Sequence, residues 1–167
     1  MENAHKLNEI NQKLDKCACL YIESYQSLLT LRELLNKALD DGYLNLSKAR
    51  SIVGCTSLSI LQIPSELEAK VSIETNEKID IVKTDDPSVD LEVPSIQFNL
   101  SVSNSDSKEI PLPSWFGVLT PLSLKTSQKS FCRSLNLATS ICECQTRLNE
   151  LGKVYQDLLS EKNKLMN

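Results

Sequence analysis

Glycine is scarce in this chain: 4 residues in 167. None of the four builds a glycine-rich loop or a Walker motif, so the usual backbone cradle for phosphate is missing. Histidine is scarcer still. His5, near the N-terminus, is the only one, which leaves Ser-His and Cys-His nucleophilic arrangements almost without support. Aromatic residues make up 5% of the chain, which argues against a large aromatic-filled core. The formal charge of −4 removes a general basic footprint for nucleic acid. No apolar run approaches the roughly 18–20 residues that span a bilayer, and residues 1–14 are too polar for a signal peptide. These absences predict a protein on the cytosolic side of membranes, with its six cysteines (17, 19, 55, 132, 142 and 144) as reduced thiols.

Two long heptad patterns stand at the two ends of the chain. The first runs Leu7, Ile10, Leu14, Cys17, Tyr21, Ser24, Leu28, Leu31, Leu35, Ala38, alternating three and four residues without a break. The segment has no glycine or proline before Gly42, which stands where a residue just past a helix end should be. This predicts a helix over residues 1–41. The second pattern runs Leu137, Ile141, Cys144, Leu148, Leu151, Tyr155, Leu158, Lys162, Leu165, with Lys162 the one misfit. Thr120 is placed to cap that helix, Pro121 suits its first position, and Leu119 and Leu124 fall at the staple positions. A helix from Pro121 to Leu165 is roughly 65–70 Å long at 1.5 Å per residue, too long to bury its own seam. The charge is divided accordingly: residues 1–41 carry 5 basic and 7 acidic groups, 42–120 carry 6 and 11, and 121–167 carry 7 and 4. Rods of opposite net charge at the two ends of one chain suit each other as partners. The expected fold is therefore mainly α: a long antiparallel two-helix coiled-coil hairpin, in a single domain over 1–167. Pairing of each rod with another chain is the alternative, because heptads specify a seam better than a partner.

Between the rods, Asn45 can cap a short helix over Leu46–Val53, within a segment 42–54. Leu67, Ala69, Val71 and Ile73 alternate with polar residues. After Thr75-Asn76-Glu77, Ile79 and Ile81 do so again, a β-hairpin pattern with a turn at 75–77. Asp85–Glu92 reads as an acidic loop, and Ile96, Phe98, Leu100 and Val102 as a third strand. Ser101–Glu109 reads as a linker. The whole stretch 55–120 is thus a small β-hairpin and flexible linker. It ends in PLPSWFGVLTP, where three prolines keep Trp115 and Phe116 out of regular structure.

The Cys-x-Cys pairs at 17/19 and 142/144 do not suit zinc, since residues i and i+2 lie about 200° apart on a helix. Small core residues are the preferred reading, and Cys17 and Cys144 would share a layer if paired residue numbers sum to about 161. No catalytic, cofactor or metal residues are expected. The candidate residues are for binding: Tyr43, Leu44, Lys48, Arg50, Trp115, Phe116 and Leu119. Trp115 and Phe116 either plug the end of the helical pair or anchor a partner. Lys48 and Arg50 are either a solvated face or a contact for acidic groups or lipid phosphates.

Two stretches together carry a family resemblance. Gly42, Tyr43, Leu44, Leu46, Lys48, Ala49 and Arg50 follow the first rod. Trp115, Phe116, Gly117, Val118, Leu119, Pro121, Ser123 and Leu124 open the second. This order resembles the coiled-coil-domain assembly factors of the vacuolar-type proton ATPase, with Tyr43 where relatives carry tryptophan. The resemblance covers about a fifth of the chain. It implies a non-enzymatic assembly chaperone for the membrane sector of that pump, with no cofactor. It also implies peripheral attachment to the cytosolic face of the endoplasmic reticulum, with ER-Golgi and endolysosomal membranes as further locations, through a small two-span membrane protein as partner. Pump membrane-sector subunits are the other expected partners, and nucleic acid is not one. A prefoldin-like holdase and a coiled-coil tether are the alternatives from other classes.

Overall fold

A computed structural model describes residues 2–54, 58, 63–66, 69–82, 90–102, 112–113, 116 and 120–166. Its elements are helix α1 (Glu2–Val53), strand β1 (Val71–Val82), strand β2 (Leu91–Val102) and helix α2 (Leu122–Met166). The protein is mainly helical, with one small two-stranded sheet between its helices. No helix among the described residues is long and apolar enough to cross a membrane.

The expected break at Gly42 is absent, because α1 runs straight through it to Val53 and takes in the short helix expected at 46–53. Heptad phase explains this: Ala38, Gly42 and Ala49 continue the seam at four and seven residues, and all three are buried. Asn45 does not cap. Its Nδ2 donates to the Asp41 carbonyl 2.8 Å away, one turn back within the same helix. The helix ends at Gly54 instead, where φ is +91° and the amide donates to the Arg50 carbonyl at 3.0 Å. Only glycine takes that left-handed conformation at little cost, so the terminator expected at Gly42 stands twelve residues later, at Gly54. At the other helix, the amides of Leu124 and Lys125 both reach the Pro121 carbonyl, and α2 starts one residue later than its capping pattern suggested.

The sheet differs in the same direction. No turn occurs at Thr75–Glu77, and β1 passes through it, since Val71, Ile73, Ile79 and Ile81 keep a single period-two phase across that gap. Its partner is the strand expected third, lengthened backward to take in Leu91 and Glu92. The Ser72 and Ser101 hydroxyls meet at 2.7 Å and Lys78 bonds to Gln97. One number rises as the other falls, so the strands are antiparallel. Apolar alternation in β2 changes phase across Pro94–Ser95, from Leu91 and Val93 to Ile96, Phe98 and Leu100. A two-stranded sheet leaves each strand a free edge, where proline is tolerated. Leu67, Cys55, the 83–89 connection and the 103–109 linker lie outside the described residues.

The chain forms two compact units: Met1–Thr30, Thr75–Phe98 and Ser140–Asn167 in the first, Leu31–Glu74 and Asn99–Thr139 in the second. In the first unit, Cys17, Leu91, Val93 and Leu151 make a closed core, with Leu20, Val154 and Leu158 packed around it. The Cys17 thiol points at the Leu151 carbonyl (3.4 Å) and the Cys144 thiol at the Ser24 carbonyl (3.1 Å). Both pairs of numbers sum to 168, so the helices run antiparallel here. The register is one heptad away from the one that would put Cys17 and Cys144 in a shared layer. Tyr21 and Tyr155, both on the expected seam, are exposed, consistent with a phenol that keeps its hydroxyl in water. A Glu143 carboxylate oxygen accepts the Phe98 amide at 2.9 Å, tying β2 to α2.

In the second unit most buried helix positions hold small residues: Ala38, Gly42, Ala49, Ser127 and Ser134 are buried, with Leu124 as the large one. Ser127 donates its hydroxyl to the Gly42 carbonyl at 2.8 Å. A Cβ on Gly42 would lie 2.9 Å from Phe131 Cε1, so glycine is what lets the ring seat there.

Candidate functional site

That choice of small seam residues has a consequence for the larger ones. With the seam occupied largely by Ala, Gly and Ser, alongside Leu35 and buried Leu124, the other bulky side chains of the second unit are displaced to its flank. There they line an open groove of about 720 Å³. Leu35, Leu39 and Leu46 come from α1, and Leu124, Phe131, Leu135 and Ala138 from α2. Val71 at the start of β1 and Leu112, Pro113 and Phe116 from the proline-rich stretch complete the apolar wall. The Phe116 amide donates to the Pro113 carbonyl at 3.3 Å. Phe131 is braced from behind by Tyr43, ring centroids 5.2 Å apart and planes at 78°, the edge-to-face geometry that aromatic pairs favour.

Of the residues singled out in the sequence, Phe116 lines the groove and Tyr43 supports it. Leu44, Lys48 and Arg50 are exposed on α1 and do not line it. Trp115 and Leu119 lie outside the described residues. Leu46, singled out only as part of the family resemblance, lines the groove too. The sequence reading missed Leu39, Phe131 and Leu135, although a signal for them was present. A coiled-coil seam needs two apolar positions per heptad, and these three are apolar beyond that requirement. Surplus leucine and phenylalanine beside a seam mark a second apolar stripe.

The groove is suited to holding, not to reacting. Its described lining has one ordinarily charged group, Lys70, and one thiol, Cys132, whose pKa is pushed up by burial, leaving it a poor nucleophile at neutral pH. Grooves of this size lined by Leu, Phe and Pro accept the apolar face of a helix or an extended segment. Fold and groove together define a mainly helical protein with an open apolar groove.

Comparison with known proteins makes the definition more particular. No protein-family profile matches the chain. A Mus musculus protein named vacuolar ATPase assembly protein VMA22 is 30% identical over 155 residues, covering 84% of this chain and 86% of its own. The proteins of the same name from Bos taurus and Homo sapiens are 29% and 28% identical, each over 93% of this chain and 94% of theirs. The chain belongs to this family of vacuolar ATPase assembly proteins. Its members are assembly factors, so the chain is not an enzyme.

Proposed function

We propose that this protein assists assembly of the vacuolar-type proton ATPase by holding apolar segments of membrane-sector subunits in the groove of its second unit. The observation that carries the reading is the groove itself, a large apolar surface left open beside a seam in which small residues predominate. An unfinished membrane subunit presents the matching chemistry, apolar helices without their final neighbours. The site of action is the cytosolic face of the endoplasmic reticulum, with a small two-span membrane protein as standing partner. α1 and α2 act there as an antiparallel coiled-coil hairpin, a reading supported by the shared residue sum of 168 and the buried heptad positions.

Affinity purification from detergent-solubilised membranes tests this. The wild-type chain should bring down membrane-sector subunits and a small membrane protein, and Leu135→Arg should lose the subunits. Pump assembly and compartment acidification that persist unchanged after depletion of the protein would sink the proposal. A prefoldin-like holdase has one observation in its favour: β1 presents Ile73, Ile79 and Ile81 to solvent, and prefoldin-like subunits assemble through their strands. A hexamer in solution would favour that reading, and a monomer would exclude it.

A further inference from the structure

Acidic residues outnumber basic ones in this chain by 22 to 18, yet residues 42–65 and 110–142 contain no carboxylate side chain at all. Those two stretches are 24 and 33 residues long and carry five cations: Lys48, Arg50, Lys125, Lys129 and Arg133. At the overall rate of 22 acids in 167 residues, they would hold about seven. Asp40 and Asp41 bound the first stretch and Glu143 the second.

The fold gathers these cations. All five belong to the second unit, where Ser127 bonds to Gly42. Lys48 and Arg50 stand six and eight residues along α1 from Gly42, and Lys125, Lys129 and Arg133 stand two, two and six residues along α2 from Ser127. At 1.5 Å per residue, every one is therefore within about 12 Å of that single hydrogen bond, measured along its helix. All five are exposed, and none has an ion-pair partner among the described residues. On α2, Leu122, Lys125, Lys129 and Arg133 share one face, within about 80° of one another at 100° per residue. That face is turned away from buried Leu124 and Ser127. On α1, Lys48 and Ile52 are one turn apart on one stripe. Leu122 and Ile52 are the two most exposed large apolar residues described, at 79% and 70%.

We infer that this end of the second unit, the last turns of α1 and the first turns of α2, docks directly on an anionic phospholipid surface. The arrangement fits a charged plane better than a single anion. Lys48, Lys125, Lys129 and Arg133 are spread over two helices and converge on no pocket, with Arg50 about 200° round α1 from Lys48, and two solvent-facing aliphatic side chains stand among them. Lysine and arginine beside an anionic bilayer attract its headgroups, and an interspersed Leu or Ile enters the headgroup boundary. The inference does not depend on the groove or on the identity of the assembled complex.

Sedimentation of the full-length protein with vesicles tests it. Vesicles of phosphatidylcholine with about a third phosphatidylserine should bind the protein, and pure phosphatidylcholine should not. Rising salt should release it, because headgroup attraction is screened over a Debye length. Each cation contributes about a fivefold factor, so Lys48→Ala/Lys125→Ala/Lys129→Ala should weaken binding about a hundredfold. Leu122→Ser/Ile52→Ser should weaken it by at least about tenfold. Lys16→Ala/Lys164→Ala, exposed lysines of the first unit, should bind as wild type; circular dichroism confirms that every variant is folded. Equal binding to neutral vesicles, no binding to anionic ones, or equal loss in both lysine variants would each overturn the inference. So would tight binding to a polyglutamate peptide without binding to anionic vesicles, which would identify an acidic protein segment as the partner.

Discussion

The two units are built on stretches of the same two helices and use them for opposite ends. In the first, the large residues Leu14, Leu28, Leu148 and Leu151 fill the seam, and β2 covers it with Leu91 and Val93. In the second, small residues predominate: Ala38, Gly42, Ala49, Ser127 and Ser134 are buried with Leu124, while Leu39, Phe131 and Leu135 stand beside them around an open groove. Apolar side chains placed on the seam stabilise the fold, and side chains of the same kind displaced one position to its flank become available to a partner. One heptad pattern thus supports a closed core and an open apolar groove, with small residues more frequent where the groove opens.

The sharpest way to break this contrast is to truncate one leucine in each unit. Leu151 is 0% exposed, and Leu151→Ala should cost about 2–5 kcal/mol in urea unfolding, the transfer and cavity terms of a buried leucine. Leu135 is 42% exposed, and Leu135→Ala should cost less than about 1 kcal/mol. Equal losses would mean that the groove wall is core and the contrast is wrong. A glycine pair sharpens it further. Gly42→Leu should destabilise by about 1–3 kcal/mol, because the added side chain meets Phe131 where a Cβ alone already lies at 2.9 Å. Gly152→Ala has nothing within 4 Å to meet and should stabilise α2 by up to about 1 kcal/mol through helix propensity.

The smallest expected effect is on pH. Burial raises the thiol pKa of Cys17 in the first unit above its ordinary 9.0. It does the same for Cys144, where Arg147 pulls the other way. A folded-state pKa above the unfolded one gives stability that is fully present below the unfolded value and is lost as pH rises through the folded value. Stability should therefore be flat below the thiol range and decline above about pH 9. Cys17→Ala should make that decline shallower, as read by thermal unfolding across pH 8–11.

Much of the helical fold is legible in the sequence, because three-four spacing survives without alignment or structure. Both rods, their order and Cys17 as a small buried residue follow from it. Punctuation was harder to read. Gly42 looks like a terminator by residue type, but its place is set by a long-range contact, the ring of Phe131, which no local rule contains. The sheet misled for a related reason: Thr75-Asn76-Glu77 has turn composition, yet the unbroken phase of Val71, Ile73, Ile79 and Ile81 outweighs it. Leu91 and Val93 were hidden by acidic neighbours and by the phase change at Pro94–Ser95. The groove was half visible, through Phe116 and Tyr43. The rest of its wall depends on which flank of each helix faces the other, and register alone decides that.

If the open wall of the second unit is where this assembly factor holds its clients, a change there should stop assembly while a change elsewhere should not. The most direct measurement is rescue of vacuolar ATPase assembly in cells lacking the protein, read as intact membrane sector on native gels. Two folded variants should be compared at matched expression: Leu135→Arg in the groove wall and Tyr25→Arg on an exposed face of the first unit. Tyr25→Arg should restore assembly and Leu135→Arg should not; full restoration by Leu135→Arg would rule out the groove as the place where clients are held.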